Sequence, residues 1–296
     1  FQDQAIYVRV LLPTVNFIRT NQNKWSQSLN LNAASWKNKD GFKGFLSHFA
    51  NQTYFLIDSK TRRDQSEFSI NPFVRDDEDL LGLDQNFKNS LFFNRGLQKT
   101  SMVYTFLNFR KKTIYSFGDQ DITSKSHQFQ FIHKLGSFWL FDLDAGVNQN
   151  KSSSNSYSNR NYLLDNYTLR PKISYLHNKN TRLEILYTFK DKANQLEDME
   201  TLTMHVLGAN FQYANKQRFS VNANANLYFN EFTGNTNSPV AYQMLEGLQP
   251  GTNLTWLVGM QKRLTSFLDL NLNYSGRKSE DSKTIHTGNV QLRATF

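Results

Sequence analysis

Along much of this chain apolar and polar residues alternate one for one, the period of an extended strand whose two faces meet different surroundings. In the stretch QRFSVNANANLYFN, Phe219, Val221, Ala223, Ala225, Leu227 and Phe229 share one face, while Ser220, Asn222, Asn224 and Asn226 share the other. Strands of soluble sandwiches average about five or six residues. This run is longer, enough to cross a bilayer at a tilt.

The pattern recurs. Trp139, Phe141, Leu143, Ala145 and Val147 alternate with Leu140, Asp142, Asp144 and Gly146. Leu183, Ile185, Tyr187 and Phe189 alternate with Arg182, Glu184, Leu186 and Thr188, and Leu207, Ala209, Phe211 and Tyr213 with Gly208, Asn210 and Gln212. Leu254, Trp256, Val258 and Met260 oppose Thr255, Gly259 and Gln261, and Leu268, Leu270, Leu272 and Tyr274 oppose Asp269, Asn271 and Asn273. The last segment sets Val290, Leu292, Ala294 and Phe296 against Asn289, Gln291, Arg293 and Thr295. Leu140 and Leu186 are exceptions to the rule.

The connections carry a second signal. Tight turns are predicted near Leu135-Gly136, Asn178-Lys179-Asn180, Asn215-Lys216 and Leu264-Thr265, with polar loops between them over 149–161, 191–201, 231–250 and 277–283. Short and long connections alternate throughout this half, as in bacterial outer-membrane barrels with short periplasmic turns and long extracellular loops. The first 126 residues are less regular. Strands are predicted near 5–18, 25–36, 45–57, 66–75, 86–95 and 100–116, with loops around 37–44, 76–85 and 117–126. Pro13, Pro72 and Pro171 each mark a strand end, a bulge or a misplaced strand boundary, because proline removes a ladder hydrogen bond. The count is about 15 strands. Single-chain bacterial barrels have even numbers, so the expected fold is an all-β, antiparallel, up-and-down transmembrane barrel of about 14 to 16 strands spanning residues 1–296, by that rule.

Composition supports the alternation. Apolar residues make up only 39% of the 296 residues, yet 14% are aromatic, and the mean hydropathy is -0.60. A disordered chain is aromatic-poor, and no apolar run suits a membrane-spanning helix. The chain opens FQDQAIYV, without an initiating Met or a signal-type segment, which reads as a mature or truncated product preceded by further segments. With no cysteine there are no disulfides and no thiolate chemistry. The formal charge of +9 is scattered, with short runs only at Arg62-Arg63 and Arg110-Lys111-Lys112, and argues against nucleic acid.

The ending GNVQLRATF resembles the closing strand of bacterial outer-membrane proteins, whose terminal aromatic helps the barrel-assembly machinery recognise its client. By that resemblance Val290, Leu292, Ala294 and Phe296 form the assembly signal. The stretch LEGLQPGTNLTW together with NLNYSGRKSEDSKTIHTGNVQLRATF looks like the C-terminal part of large outer-membrane β-barrel proteins of Bacteroidota, a functionally diverse group. The plug domain and TonB-box segment of that group's nutrient receptors are not visible in this sequence.

Candidate chemistry is sparse. His48, His127, His133, His177, His205 and His286 fall on separate segments. Ser126 beside His127 is a nucleophile–base pair by adjacency alone, and neighbours on a strand point to opposite faces. No metalloprotease, nucleophile-elbow, P-loop or EF-hand spacing occurs. Neither an enzyme nor a cofactor is expected. Asp76, Asp77, Glu78 and Asp79 read as a solvated loop rather than a calcium site, since EF-hand spacing is missing. Asp142, Asp144, Arg170, Lys172, Arg182, Glu184, Asp269 and Arg293 are predicted to face the lumen. Their interleaved signs favour an interior filled by cross-strand ion pairs over a charge-selective pore. Trp25, Trp36, Trp139, Trp256 and Tyr274 are predicted in an interfacial girdle. The expected partners are outer-membrane lipid, the assembly machinery and other proteins of an envelope complex. The sequence favours a non-enzymatic scaffold or anchor barrel; a porin or the barrel part of a plugged receptor is the alternative.

Overall fold

The computed structural model describes residues 18–37, 39–63, 77–96, 99–115, 118–196, 199–215, 218–280 and 282–295. These form one antiparallel sheet in which each strand pairs with its neighbours in the chain: β1 (Thr20–Asn32), β2 (Phe49–Arg62), β3 (Leu80–Phe93), β4 (Thr100–Tyr115), β5 (Gly118–Leu135), β6 (Trp139–Ser153), β7 (Tyr162–Leu176), β8 (Thr181–Asn194), β9 (Thr201–Asn215), β10 (Phe219–Thr233), β11 (Gly251–Arg263), β12 (Leu268–Ser279) and β13 (Ile285–Ala294). Among the described residues β1 and β13 are the two edges and do not pair with each other. The sequence suggested about 14 to 16 strands by the even-number rule, against the 13 described. Nearly all of the segment predicted as a strand over 5–18, and the whole of that over 66–75, lie outside the described residues. Two short helices, α1 (Phe42–Leu46) and α2 (Pro239–Met244), sit in connections. No described helix is long and apolar enough to cross a membrane.

Register converts the alternation into two continuous faces. Leu183, Ile185 and Tyr187 of β8 stand opposite Phe211, Ala209 and Leu207 of β9. Leu207 in turn faces Leu227 of β10, which faces Leu254 of β11. Met260 of β11 pairs with Leu272, and Leu272 with Val290 of β13. These side chains stay open to the surroundings, Ile185 at 63% and Val290 at 68%. An apolar band this long is what lipid contact requires and water disfavours. The opposite face, which we call the inner face, is largely polar apart from an apolar patch of Leu164, Leu202, Met204 and Val206 on which α2 lies.

Some boundaries differ from the pattern's expectation. Residues 118–126 extend β5 rather than forming a loop, pairing with β4 from Tyr115↔Gly118 onward. Apart from Ile122 both faces are polar there (Asp119, Gln120, Asp121, Thr123, Lys125), so hydrophobic alternation fades where the hairpin passes beyond the apolar band, although the backbone ladder continues. The strand predicted at 25–36 stops at Asn32, and Trp36 lies in a 3₁₀ turn. Residues 45–48 belong to α1 and its turn, so β2 begins at Phe49. The strand predicted at 86–95 begins at Leu80, inside the expected loop. The alternation of turn lengths does not extend to the first half: the β1–β2 connection over 33–48 lies at the same end as the tight turns.

Pro171 sits inside β7. Its register with β6 is unbroken at Leu143↔Pro171, whereas the pairing with β8 runs from Leu169↔Phe189 directly to Lys172↔Leu186. The missing N–H thus opens a local gap in the ladder without shifting the register. Leu186, an apolar exception on a largely polar face, packs over Gly208, where a Cβ would lie 2.7 Å from its Cδ1.

Candidate functional site

The inner face carries a ladder of ion pairs, cross-strand except for Arg182–Glu184, which lies within β8. Asp142 of β6 meets Lys172 of β7 at 3.1 Å and accepts a hydrogen bond from Gln130 of β5 at 3.3 Å. One turn of the pleat away, Arg170 reaches Asp144 at 2.6 Å. Arg182 and Glu184 of β8 pair at 2.6 Å, and Glu184 also accepts from Ser174 and from Asn210, each at 3.1 Å. Asp269 is held by Arg263, a residue the sequence reading did not select, at 3.4 Å, while Arg293 stands opposite Asp269 in the register. Charges opposed in this way satisfy one another across and along the strands, as a wall facing water or a polar interior requires.

The remaining predicted residues are dispersed. Trp139 packs on Tyr175, ring centroids 4.8 Å apart, at the tight-turn end, while Trp25 lies on β1 and Trp36 in its 3₁₀ turn. Trp256 lies over Gly276, whose missing side chain makes room for the indole. Val290, Leu292 and Ala294 face outward on β13; Phe296 lies outside the described residues. Of the acidic cluster, Asp77 pairs with Arg110 at 2.9 Å and Asp76 is outside the described residues. Among the described residues no group of His, Asp and Glu could hold a metal ion.

The histidines share a pattern that the sequence did not suggest. Nδ1 of His127, His205 and His286 hydrogen-bonds the hydroxyl of Tyr104, Tyr187 and Tyr274 on the adjacent strand, at 2.7, 2.6 and 2.8 Å. His133 meets Thr100 at 2.7 Å, His48 meets Asn94 at 2.6 Å, and His177 meets Tyr175 at 3.3 Å. The three cross-strand Tyr–His pairs lie where the outward face changes from apolar to polar. Beyond them come Asn108 and Arg110 on β4, Lys125 on β5, Thr203 on β9 and Lys278 on β12. An aromatic ring with a polar tip suits that boundary. Ser126 is buried on the inner face, opposite the side on which His127 bonds Tyr104.

The densest arrangement lies in the β10–β11 connection, which was expected to be an outer polar loop. Instead it folds back over the inner face. Ser238 caps α2, its Oγ accepting from the Ala241 N–H at 2.9 Å, and Pro239 starts the first turn. Val240, Ala241, Met244 and Leu245 then bury against Leu164 of β7 and Leu202, Met204 and Val206 of β9. Beyond the helix, Glu246 adopts φ 56° and Gly247 φ 78°. That turn aims the Glu246 carboxylate at two lysines of β8: Lys190 donates at 2.6 and 2.9 Å and Lys192 at 2.8 Å. Lys192 also donates to the Met244 carbonyl at 2.7 Å. Burial pushes the Glu246 carboxyl's pKa up, but hydrogen bonds and charge from Lys190 and Lys192 outweigh it and hold it below the ordinary carboxylate value.

The segment's exit is pinned as firmly. Asn253, 1% exposed, donates to the carbonyls of Gln249 at 2.7 Å and Gly251 at 3.2 Å, and its Oδ1 accepts from Ser279 of β12 at 2.6 Å. Asn230 donates to the Gln249 carbonyl at 2.9 Å, and the Thr252 N–H donates to Glu280 at 2.9 Å. Beside the latch, strands β4 to β8 line a cavity of about 480 Å³ with Thr105, Gln128, Asp144, Asn166, Arg170 and Lys190 on its wall.

Comparison with known proteins places the fold. No family model matches the chain, and no curated protein matches it in sequence. Among solved structures it is similar to the ferric-catecholate import receptor Fiu from E. coli K12, with a TM-score of 0.52 and 8% identity over 87% of this chain and 49% of that one. Looser likenesses are to the outer-membrane channel DcaP of Acinetobacter baumannii (TM-score 0.40, 9% identity, 82% of this chain and 80% of that one) and to an outer-membrane protein OmpT of Vibrio cholerae (TM-score 0.41, 8% identity, 93% and 98%). The chain therefore spans about half the length of the receptor it matches. Its architecture is that of the outer-membrane β-barrels.

Proposed function

We propose that this chain forms barrel wall in a bacterial outer membrane and that the barrel passes solute, with residues 234–250 as the element that narrows its lumen. The observation that carries this reading is the inward-folded segment itself, buried through Val240, Ala241, Met244 and Leu245 and latched by Glu246 to two lysines of the wall. A barrel that serves only as an anchor has no use for a connection held against its inner wall by ion pairs beside a cavity lined in part by polar side chains, whereas a regulated passage does. In this reading the tight turns face the periplasm, the outward apolar band meets lipid, Val290, Leu292, Ala294 and Phe296 serve the assembly machinery, and no catalysis occurs.

The test is conductance of the full-length protein in planar bilayers, before and after residues 236–248 are replaced by a short Gly-Ser linker. Steady current that rises on replacement is expected. Silence from both, with the barrel folded, overturns the reading. The second reading, a scaffold barrel within a larger envelope assembly, draws on β13, whose outer edge pairs with no other described strand. In lipid its backbone groups need a partner strand. Silent bilayers together with a co-purifying stoichiometric partner would favour it.

A further inference from the structure

Glu246 is an odd choice for its position. A left-handed backbone disfavours a residue with a Cβ, and glycine or asparagine would make the same turn at less cost. What glutamate adds is a carboxylate placed between Lys190 and Lys192, which lie on one face of β8 two residues apart. Arg170, on the neighbouring strand and on the wall of the same cavity, extends the basic group, with Asp144 as its counter-charge. Without Glu246 the formal count of Arg170, Lys190, Lys192 and Asp144 is three positive against one negative, leaving +2.

From this we infer that Lys190 and Lys192 form an oxyanion-binding site, which the chain's own Glu246 occupies in the closed arrangement. A small solute bearing carboxylate or phosphate oxygens takes Glu246's place and frees the 234–250 segment. The inference rests on the transport reading for its consequence but not for the binding itself. Three features support a site rather than a mere staple. The lysine side chains differ in exposure, Lys190 at 24% and Lys192 at 11%, so Lys190 is the more accessible of the two to an arriving anion. The Glu246 side chain is itself 42% exposed, so a competitor can approach before the resident leaves. The adjoining cavity of about 480 Å³ has the amide of Gln128 and the amide oxygen of Asn166 on its wall for the rest of a polar solute.

Binding and passage are measured separately on the full-length protein, with Glu246→Gln, with Lys190→Met/Lys192→Met, and with all three changes combined. Inorganic phosphate and acetate are the probes. In detergent, calorimetry is expected to show phosphate or acetate binding about tenfold tighter in Glu246→Gln than in the unmodified protein, since removing the resident competitor raises the fraction of competent sites. The lysine substitutions abolish it. In bilayers under a KCl gradient, Glu246→Gln shifts the reversal potential toward chloride and becomes sensitive to the bound anion. The preferred probe identifies the oxyanion, carboxylate or phosphate. Equal, weak binding by the unmodified protein and Glu246→Gln overturns the site whether or not current flows. Lysine-dependent binding in Glu246→Gln with no current in any variant keeps the site and overturns the transport reading. Retained heat-modifiable migration on gels establishes that each variant is folded.

Discussion

Replacing Met244 by alanine tests whether packing or the ion-pair latch holds the inward segment. A helix of six residues has no stability of its own in water, so α2 persists only because its apolar side docks. Met244 is fully buried among Leu164, Leu202, Met204 and Val206. Truncating such a side chain costs about 2–5 kcal/mol in a packed interior. The lower end applies here, about 2 kcal/mol, because the rim of the segment relaxes more freely than a closed core. At 1.4 kcal/mol per factor of ten, docking weakens about 30-fold. The loss falls on local opening, not on the sheet, since the strand ladder runs independently of α2. Hydrogen exchange read by mass spectrometry, in detergent or nanodiscs, should show amides of residues 240–248 exchanging about 30-fold faster while those of β10 and β11 keep their rates. A change of threefold or less would show that Glu246 and the Asn253 network hold the segment without the apolar contacts. Equal acceleration in the strands would show that α2 is part of one cooperative unit with the wall. Either result refutes the argument.

Other expectations follow from the same geometry. Glu246 binds its lysines in the ionised form, and its folded pKa lies below the unfolded value, so its contribution is fully present above the ordinary carboxylate range and is lost as pH falls through the folded pKa. Cleavage of the 234–250 segment by pepsin should therefore accelerate as the pH falls below the ordinary carboxylate range, whereas Glu246→Gln should be cut fast at every acid pH. At Gly208 an added Cβ would lie 2.6 Å from Asn226 Oδ1 and 2.7 Å from Leu186 Cδ1. Gly208→Val should cost about 1–3 kcal/mol in denaturant unfolding, and Leu186→Ala should recover part of it. Lys172→Met strands Asp142, whose side chain is only 8% exposed. It should destabilise by about 3–5 kcal/mol, while the double change with Asp142→Leu should restore most of the loss. Gly276→Val places a side chain where the Trp256 indole lies, and the tryptophan emission should shift as the ring is displaced.

Strand identity was legible because lipid and polar surroundings act on alternate side chains along one segment, so all the information sits within about ten residues. The tight turns near 135–136, 178–180 and 264–265 and the long runs of β10, β11 and β12 were readable for that reason. The cross-strand partners Asp142–Lys172 and Asp144–Arg170 could be assigned to a face but not to each other, because pairing depends on a register fixed only by the whole sheet. The Tyr–His pairs escaped for the same reason: Tyr187 and His205 are separated by a turn whose length does not announce a diagonal contact. Where both faces are polar apart from one residue, as along 118–126, alternation carries no signal although the hydrogen-bonded ladder is complete.

The inward segment is the instructive failure. Read as an outer loop, 231–250 looks polar on average, yet it contains Val240, Ala241, Tyr242, Met244 and Leu245 in one short run. An apolar run in a supposedly exposed connection needs something to bury it, and here that is Leu202, Met204 and Val206, which the sequence places on a face of β9 that could equally have met a neighbouring helix or solvent. The second clue was Lys190 and Lys192, same-face cations of β8 lying beyond the point where apolar alternation ends. Neither clue names the other, because Glu246 joins them across 54 and 56 residues of sequence. A wall whose alternation is set locally can thus carry a latch whose parts are chosen globally. The physical mark of that latch is a glutamate held where its backbone favours glycine, because its charge is needed there.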